Sequence, residues 1–245
     1  MGMQEIKFAL SANAGLAITF PTALIWIDAI HIKKAPIYST VTPEIWEHML
    51  HDPDYVGASF SGPDAIAATH CHIDHFTSEI TREARSIWPS AKIILPEKYF
   101  ADQVYISSSG MYVDINGVTI HYIKTRHSTK HFHDKNHYSL LINAGGTRIF
   151  MPADASLTDP VMHYYALNTD IDIAIVDFTW LLLGKGRSLI ENDIRPKHLL
   201  VYHLPFEADD PSNYRLQVRE SAPLLKSPED VRIFSEPFQK EIIRI

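Results

Sequence analysis

The chain has 245 residues, 46% of them hydrophobic and 21% charged, enough to bury a sizeable core without disulfide staples. Its 22 lysines and arginines against 29 aspartates and glutamates leave a formal charge of −7, which argues against a coat for nucleic acid or an anionic membrane. One cysteine, Cys71, excludes an internal disulfide framework and a cysteine-rich metal site, whereas 14 histidines are a heavy and unevenly spread load.

Short apolar or alternating runs at 6–10, 15–20 and 24–28 predict three strands, separated by Asn/Gly and Pro/Thr turns. The stretch 10–27 is apolar overall, but Ser11, Asn13, Thr19, Pro21 and Thr22 interrupt it and Glu5 precedes Lys7, unlike a secretory leader. No run reaches the roughly 20 apolar residues of a membrane span. A cytoplasmic protein outside the membrane is therefore expected. A helix follows at 43–50, with Thr42 as cap, Pro43 at its first position and Ile45, Trp46, Met49 and Leu50 as one stripe.

Residues 65–69 form a short buried strand that ends in a histidine cluster, and a helix is predicted over 74–88, stopped by Pro89. Strands are expected at 92–95, 111–115, 118–124, 138–143 and 147–151, with Asn116-Gly117 and Gly145-Gly146 marking two hairpins. The order then becomes helix 160–167, strand 171–178, helix 188–193, strand 198–203, helix 211–221 and closing strands at 231–235 and 241–245. Without repeats or a long linker, this predicts a single α/β (α+β) domain over residues 1–245.

The chemistry concentrates in Thr69-His70-Cys71-His72-Ile73-Asp74-His75-Phe76. In an extended chain His70 and His72 point to the same side, and a turn into the following helix delivers Asp74 and His75 to the same strand end. Imidazoles and a carboxylate without thiolates suit zinc, manganese or iron and argue against a structural zinc knot. Cys71 alternates away from the ligands as a small buried hydrophobe.

This run is similar to the His-x-His-x-Asp-His signature of the metallo-β-lactamase superfamily. Further elements of that family occur in order: Asp28 ending an early strand hairpin, Thr125-Arg126-His127-Ser128 after a strand, Met151-Pro152-Ala153-Asp154 after the next hairpin, and His203 ending a late strand. The resemblance implies a four-layer αββα sandwich with two divalent metal ions at its rim, zinc first, with manganese or iron as alternatives. His70, His72 and His127 would hold one ion, and Asp74, His75 and His203 the other, with Asp154 bridging. Ala153 stands where many members carry glycine. His137 rivals His127 as the third ligand, and His131 and His133 are candidate substrate contacts.

Asp177 ends a strand and is read either as a proton-transfer or ligand-orienting carboxylate or as a plain turn residue. His31 reads as a surface histidine, and His48, His51, His121, His163 and His198 as structural or solvated. The compact layout looks most like the L-ascorbate-6-phosphate lactonase-like hydrolases. That implies a hydrolase acting on a small, anionic lactone or phosphoester; the candidate catalytic carboxylates are Asp74, Asp154 and Asp177, the last at a position where ribonuclease Z-like members of the superfamily carry one. The alternatives are a ribonuclease Z-like phosphodiesterase or nuclease, a persulfide dioxygenase-like iron enzyme, and a non-catalytic metal-binding relative. The acidic charge and the absence of a basic arm make nucleic acid the weaker partner and a small molecule the stronger.

Overall fold

The structure is a computed structural model, and it describes residues 4–34, 38–132 and 136–245. Among these, one sheet is built from β1 (Glu5–Leu10), β2 (Leu16–Thr19), β3 (Leu24–Ile27), β4 (Ala65–Ala67), β5 (Lys92–Leu95) and β6 (Val104–Tyr105). The second holds β7 (Met111–Ile115), β8 (Val118–Lys124), β9 (Tyr138–Ala144), β10 (Thr147–Ala153), β11 (Ile173–Asp177), β12 (His198–Tyr202) and β13 (Asp230–Ile233). The last strand, β14 (Lys240–Arg244), returns to the first sheet beside β1. The orders are β14-β1-β2-β3-β4-β5-β6 and β13-β12-β11-β10-β9-β8-β7. Each sheet is antiparallel on one side and parallel on the other, the parallel parts being β3 to β6 and β10 to β13.

Period-two alternation explains why the central strands are apolar throughout. Ile173 and Ile175 of β11 enter the core between the sheets, while Ala174 and Val176 face the outer helices. On β3, Ile25 and Ile27 point inward, and Leu24 and Trp26 outward. A strand covered on both faces needs no polar positions.

The helices supply the outer layers. Over the first sheet lie α1 (Pro43–His51), α2 (Pro53–Val56) and α3 (Ser78–Ile87), where Trp26, Trp46 and Trp88 meet edge to face with ring centres 5.2 to 6.2 Å apart. As predicted, the Thr42 side chain caps α1, accepting from the Ile45 amide at 3.2 Å. Over the second sheet lie α4 (Pro160–Asn168), α5 (Thr179–Leu182), α6 (Gly184–Leu189) and α7 (Tyr214–Ser221). The αββα sandwich expected above is thus the observed architecture.

Two predicted helices are displaced. The one expected over 74–88 begins only at Ser78, because the His75 and Phe76 amides close a turn on the His72 carbonyl and the Thr77 amide donates to Ile30. That turn keeps Asp74 and His75 at the strand end. The helix expected over 188–193 starts at Gly184 and finishes as a π-turn over Ile190–Ile194. Gly184 and Gly186 masked it, and Gly186 is needed because a Cβ there would lie 2.3 Å from the Trp180 carbonyl oxygen.

Candidate metal centre

The carboxyl ends of the parallel strands meet at one rim. Asp28 follows β3, Thr69 and His70 follow β4, Asp154 follows β10, Asp177 ends β11 and His203 follows β12. Such ends are where open parallel sheets place ligands. Three rim residues adopt left-handed backbone, Asp28 at φ 52°, Ala153 at 50° and His203 at 68°. Each costs on the order of 1 kcal/mol for an L residue, and each bends the chain sharply where its strand stops. Ala153 thus takes up the backbone geometry that a glycine would adopt without strain.

Hydrogen bonding fixes the protons of two imidazoles. Asp28 accepts from the Thr69 amide at 2.8 Å and the Thr69 hydroxyl at 2.7 Å, and lies 2.9 Å from His75 Nδ1, which donates to it. Since the Thr69 hydroxyl gives its proton to Asp28, its oxygen accepts from His70 Nδ1 at 3.0 Å. Each ring therefore carries a proton on Nδ1 and turns Nε2 to the rim, the atom an ion would take in the neutral ring.

Those atoms surround Asp154. Its Oδ2 lies 3.4 Å from His75 Nε2, 3.4 Å from His127 Nε2 and 3.8 Å from His70 Nε2, and its Oδ1 is 3.6 Å from His203 Nε2. These are too long for good hydrogen bonds and suit donors arranged around shared ions. His70, His72 and His127 bring ligand atoms within 4.8 Å of one another, as do Asp74, His75 and His203. Buried atoms here lack partners: Nε2 of His70, His72 and His127, and Asp154 Oδ1. Orphaned buried polar atoms are costly and need an explanation, which cations would supply. The donor set of nitrogen and carboxylate oxygen fits zinc, manganese or iron. His75 Nε2 and His203 Nε2 also face each other at 3.0 Å.

The site's electrostatics follow from burial among opposed charges. Burial, reinforced by His75, holds the His70 pKa well below its usual value, and burial lowers that of His72 to about 4. Burial opposes a charge on His75, but Asp154, Asp28 and Asp74 outweigh it and raise its pKa well above the ordinary range. Burial likewise opposes charge on Asp154, yet His75 and His203 keep it ionised. Asp177 is pushed up, chiefly by burial.

No protein-family model matches the sequence, and no curated protein sequence matches it. Solved structures do. The chain is similar to YhfI from Bacillus subtilis, a metallo-β-lactamase fold protein, at 16% identity and TM-score 0.67 over 98% of this chain and 99% of that one. The fold is the metallo-β-lactamase fold. Igni18, a metallo hydrolase from Ignicoccus hospitalis, is similar over 98% of both chains at 19% identity and TM-score 0.64. CmlA, a diiron β-hydroxylase from Streptomyces venezuelae, matches 98% of this chain and 54% of its own at 11% identity and TM-score 0.64.

The two rival histidines differ in their surroundings. His127 pairs with Ala155 in an isolated bridge that sets its ring against Asp154. The Thr129 amide donates to His127 Nδ1 at 3.0 Å, which in the neutral ring leaves the proton on Nε2; an ion at Nε2 would displace both that proton and this contact. His137 lies beside His70, ring centres 4.9 Å apart, fully buried and in none of the donor groups formed among the described residues, with burial lowering its pKa to about 3. Its Nδ1 sits 3.0 Å from the Thr125 hydroxyl.

Of the other candidates, Asp177 accepts from the Thr179 amide at 2.8 Å and from the Thr179 hydroxyl, leaving Oδ2 3.6 Å from His203 Nδ1. His131 is exposed on a short 3-10 turn, Lys130–Phe132, and His133 lies outside the described residues. His31 is not at the surface: it is fully buried, with Nε2 3.2 Å from the Ala12 carbonyl oxygen. Its neighbours Ala29 and Ile30 pack under the first sheet and carry it inward.

Sequence reasoning missed Tyr38. Its ring meets the His203 ring edge-on with centres 4.7 Å apart, and it borders both cavities at the rim. The Ser39 hydroxyl, bonded to Asp209 at 2.9 Å and to the Phe206 amide at 2.8 Å, anchors this segment. A lone tyrosine in a loop carries no periodic signal that could have revealed it.

Two cavities share Tyr38, His127, Thr129 and Asp154 in their walls. One is a slot of about 130 Å³ reaching Ser128, Asp177, Thr179 and Trp180. The other is a basin of about 500 Å³ bounded by Tyr38, Ile73, Phe132 and His72. Among the described residues, no lysine or arginine lines either one.

Proposed function

We propose that this protein is a metal-dependent hydrolase of small molecules that binds two divalent ions, zinc in first place and manganese or iron as alternatives. His70, His72 and His127 would hold one ion, and Asp74, His75 and His203 the other, with Asp154 between them. The observation that carries this reading is the placing of Asp154 within 3.8 Å of four imidazole Nε2 atoms. When bound, such a pair lowers the pKa of a shared water and polarises the oxygen under attack, which opens lactones, esters and phosphoesters to hydrolysis.

The protein's own groups prepare for that chemistry. Asp28 and Thr69 place a proton on Nδ1 of His75 and His70, away from the rim, so that each ring, once neutral, offers Nε2 to an ion. Asp177, raised by burial and bordering the slot, can carry a proton to a leaving group there. Tyr38 shields the His203 ring from solvent on one side.

The test begins with metal analysis of protein purified without chelators, where two ions per chain are expected. Assays then cover lactones, thioesters, aryl esters and bis(p-nitrophenyl) phosphate. Hydrolysis in heavy-oxygen water, in a single turnover, should place one solvent oxygen in the product. Enzyme-derived oxygen would overturn the mechanism. Oxygen uptake with a sulfur substrate would favour the oxidoreductase reading, which the nitrogen and carboxylate donor set also permits.

A further inference from the structure

The two cavities differ in size and chemistry, and Asp154 and His127 of the candidate site line both. The basin wall is apolar: Ile73 is 46% exposed between His72 and Asp74, and Phe132 lies with its ring centre 4.4 Å from that of His72. Tyr38 adds a third aromatic or aliphatic surface. At about 500 Å³ the basin falls in the range of ordinary ligand pockets. The slot, at about 130 Å³, is smaller than the roughly 150 Å³ engineered cavity that holds one benzene, so it admits only a small group. Ser128, Thr129 and Thr179 give it hydroxyls.

Charge points the same way. Lys33 pairs with Glu79 at 3.1 Å, Lys34 with Asp209 at 3.4 Å, and Arg126 with Asp159 at 3.3 Å, while Lys130 is exposed and lines neither cavity. The carboxylates of Asp28, Asp74 and Asp154 would offset most of the charge that two dications bring. Little net positive potential remains to attract an anion, and an anionic group in the basin would lose hydration against Ile73 and Phe132 without gaining a cationic side chain among the described residues.

We propose that the substrate is uncharged and asymmetric, with a bulky apolar group in the basin and a small polar group in the slot, and its scissile bond at Asp154. This rests on the hydrolase reading and replaces the expected anionic substrate with a neutral ester, lactone or thioester. Ile73 and Phe132 are then specificity-determining residues.

Two matched esters test the charge preference in metal-loaded protein: 4-nitrophenyl butanoate, and 4-nitrophenyl hemisuccinate, whose acyl chain ends in a carboxylate. The butanoate should have at least a ten-fold higher kcat/KM, and Ile73→Lys should narrow or reverse that ratio with metal content unchanged. Phenyl benzoate, with a ring on both sides of the ester, should be at least ten-fold slower than the better of phenyl acetate and methyl benzoate. Binding is read separately by calorimetry with 2-phenylethanol, which Ile73→Lys should weaken several-fold and Ile73→Leu should preserve. A preference for the hemisuccinate, or no binding of 2-phenylethanol, overturns the proposal. Binding that responds to Ile73→Lys without hydrolysis of any ester would overturn the hydrolase reading and leave the pocket assignment standing.

Discussion

Asp28 Oδ2 lies 2.9 Å from His75 Nδ1, and through the Thr69 hydroxyl the same carboxylate also orients His70. One buried side chain therefore orients two rings whose centres lie 3.9 Å apart at the rim. In Asp28→Asn the amide oxygen can still accept from His75, but the charge that favours a strongly basic Nε2 is gone. Metal affinity should fall about 10- to 100-fold, measured by chelator competition. Thr69→Val should act in the same direction through His70 alone, with a smaller loss. An Asp28→Asn protein that holds its ions as tightly as the parent would show that this network plays no part in binding.

Asp154 contacts both donor groups, whereas His72 belongs to one. Asp154→Ala should lose most of both ions and all measurable turnover. His72→Ala should keep one ion more tightly than the other. Metal stoichiometry after gel filtration checks both variants, and full metal content in Asp154→Ala would remove Asp154 from its place between the ions.

For the two rival histidines, His127→Ala should lower metal content, and His137→Gln should leave it unchanged. His137 sits in a chain of hydroxyls, with Thr125 Oγ1 3.0 Å from Ser139 Oγ and Ser139 donating to the Pro152 carbonyl at 3.0 Å. Its replacement should therefore cost stability, on the order of 1 to 3 kcal/mol for the hydroxyls left unpaired, read by urea denaturation. Metal loss in His137→Gln with none in His127→Ala would reverse the assignment.

Much of this architecture was legible in the chain because the strands sit between two covered layers. Runs such as 173–176 are apolar on both faces, and the Asn116-Gly117 and Gly145-Gly146 turns punctuate the antiparallel half. The dense His70–His75 run was legible because four strong ligands fall within six residues. What escaped notice depended on tertiary position. Tyr38 reaches the rim only because Ser39 is tied to Asp209 and Phe206. His31 looked solvated because a lone histidine has no period, and its burial follows from Ala29 and Ile30 entering the core. Gly184 and Gly186 carry no helix signal of their own, yet both lie in a helix, and Gly186 makes a close approach to Trp180. Local composition cannot register such contacts.

His31 gives a pH dependence with a definite sign. Burial lowers its pKa from 6.5 to about 4, with Nε2 beside the Ala12 carbonyl and Nδ1 unpartnered. Between those values the unfolded chain binds this proton and the folded chain does not. The contribution is therefore complete above pH 6.5, falls as the pH drops, and is exhausted once the pH passes below about 4. At pH 5 the loss attributable to this one group is about 2 kcal/mol. Other buried histidines add to the fall in the parent protein, so the informative quantity is a difference between variants. His31→Gln keeps a donor for the Ala12 carbonyl and cannot titrate. Between pH 7.5 and pH 5 its unfolding free energy should decline by about 2 kcal/mol less than that of the parent in urea titrations. Parallel declines in the two proteins would mean that His31 is protonated in the folded state or titrates alike in both states.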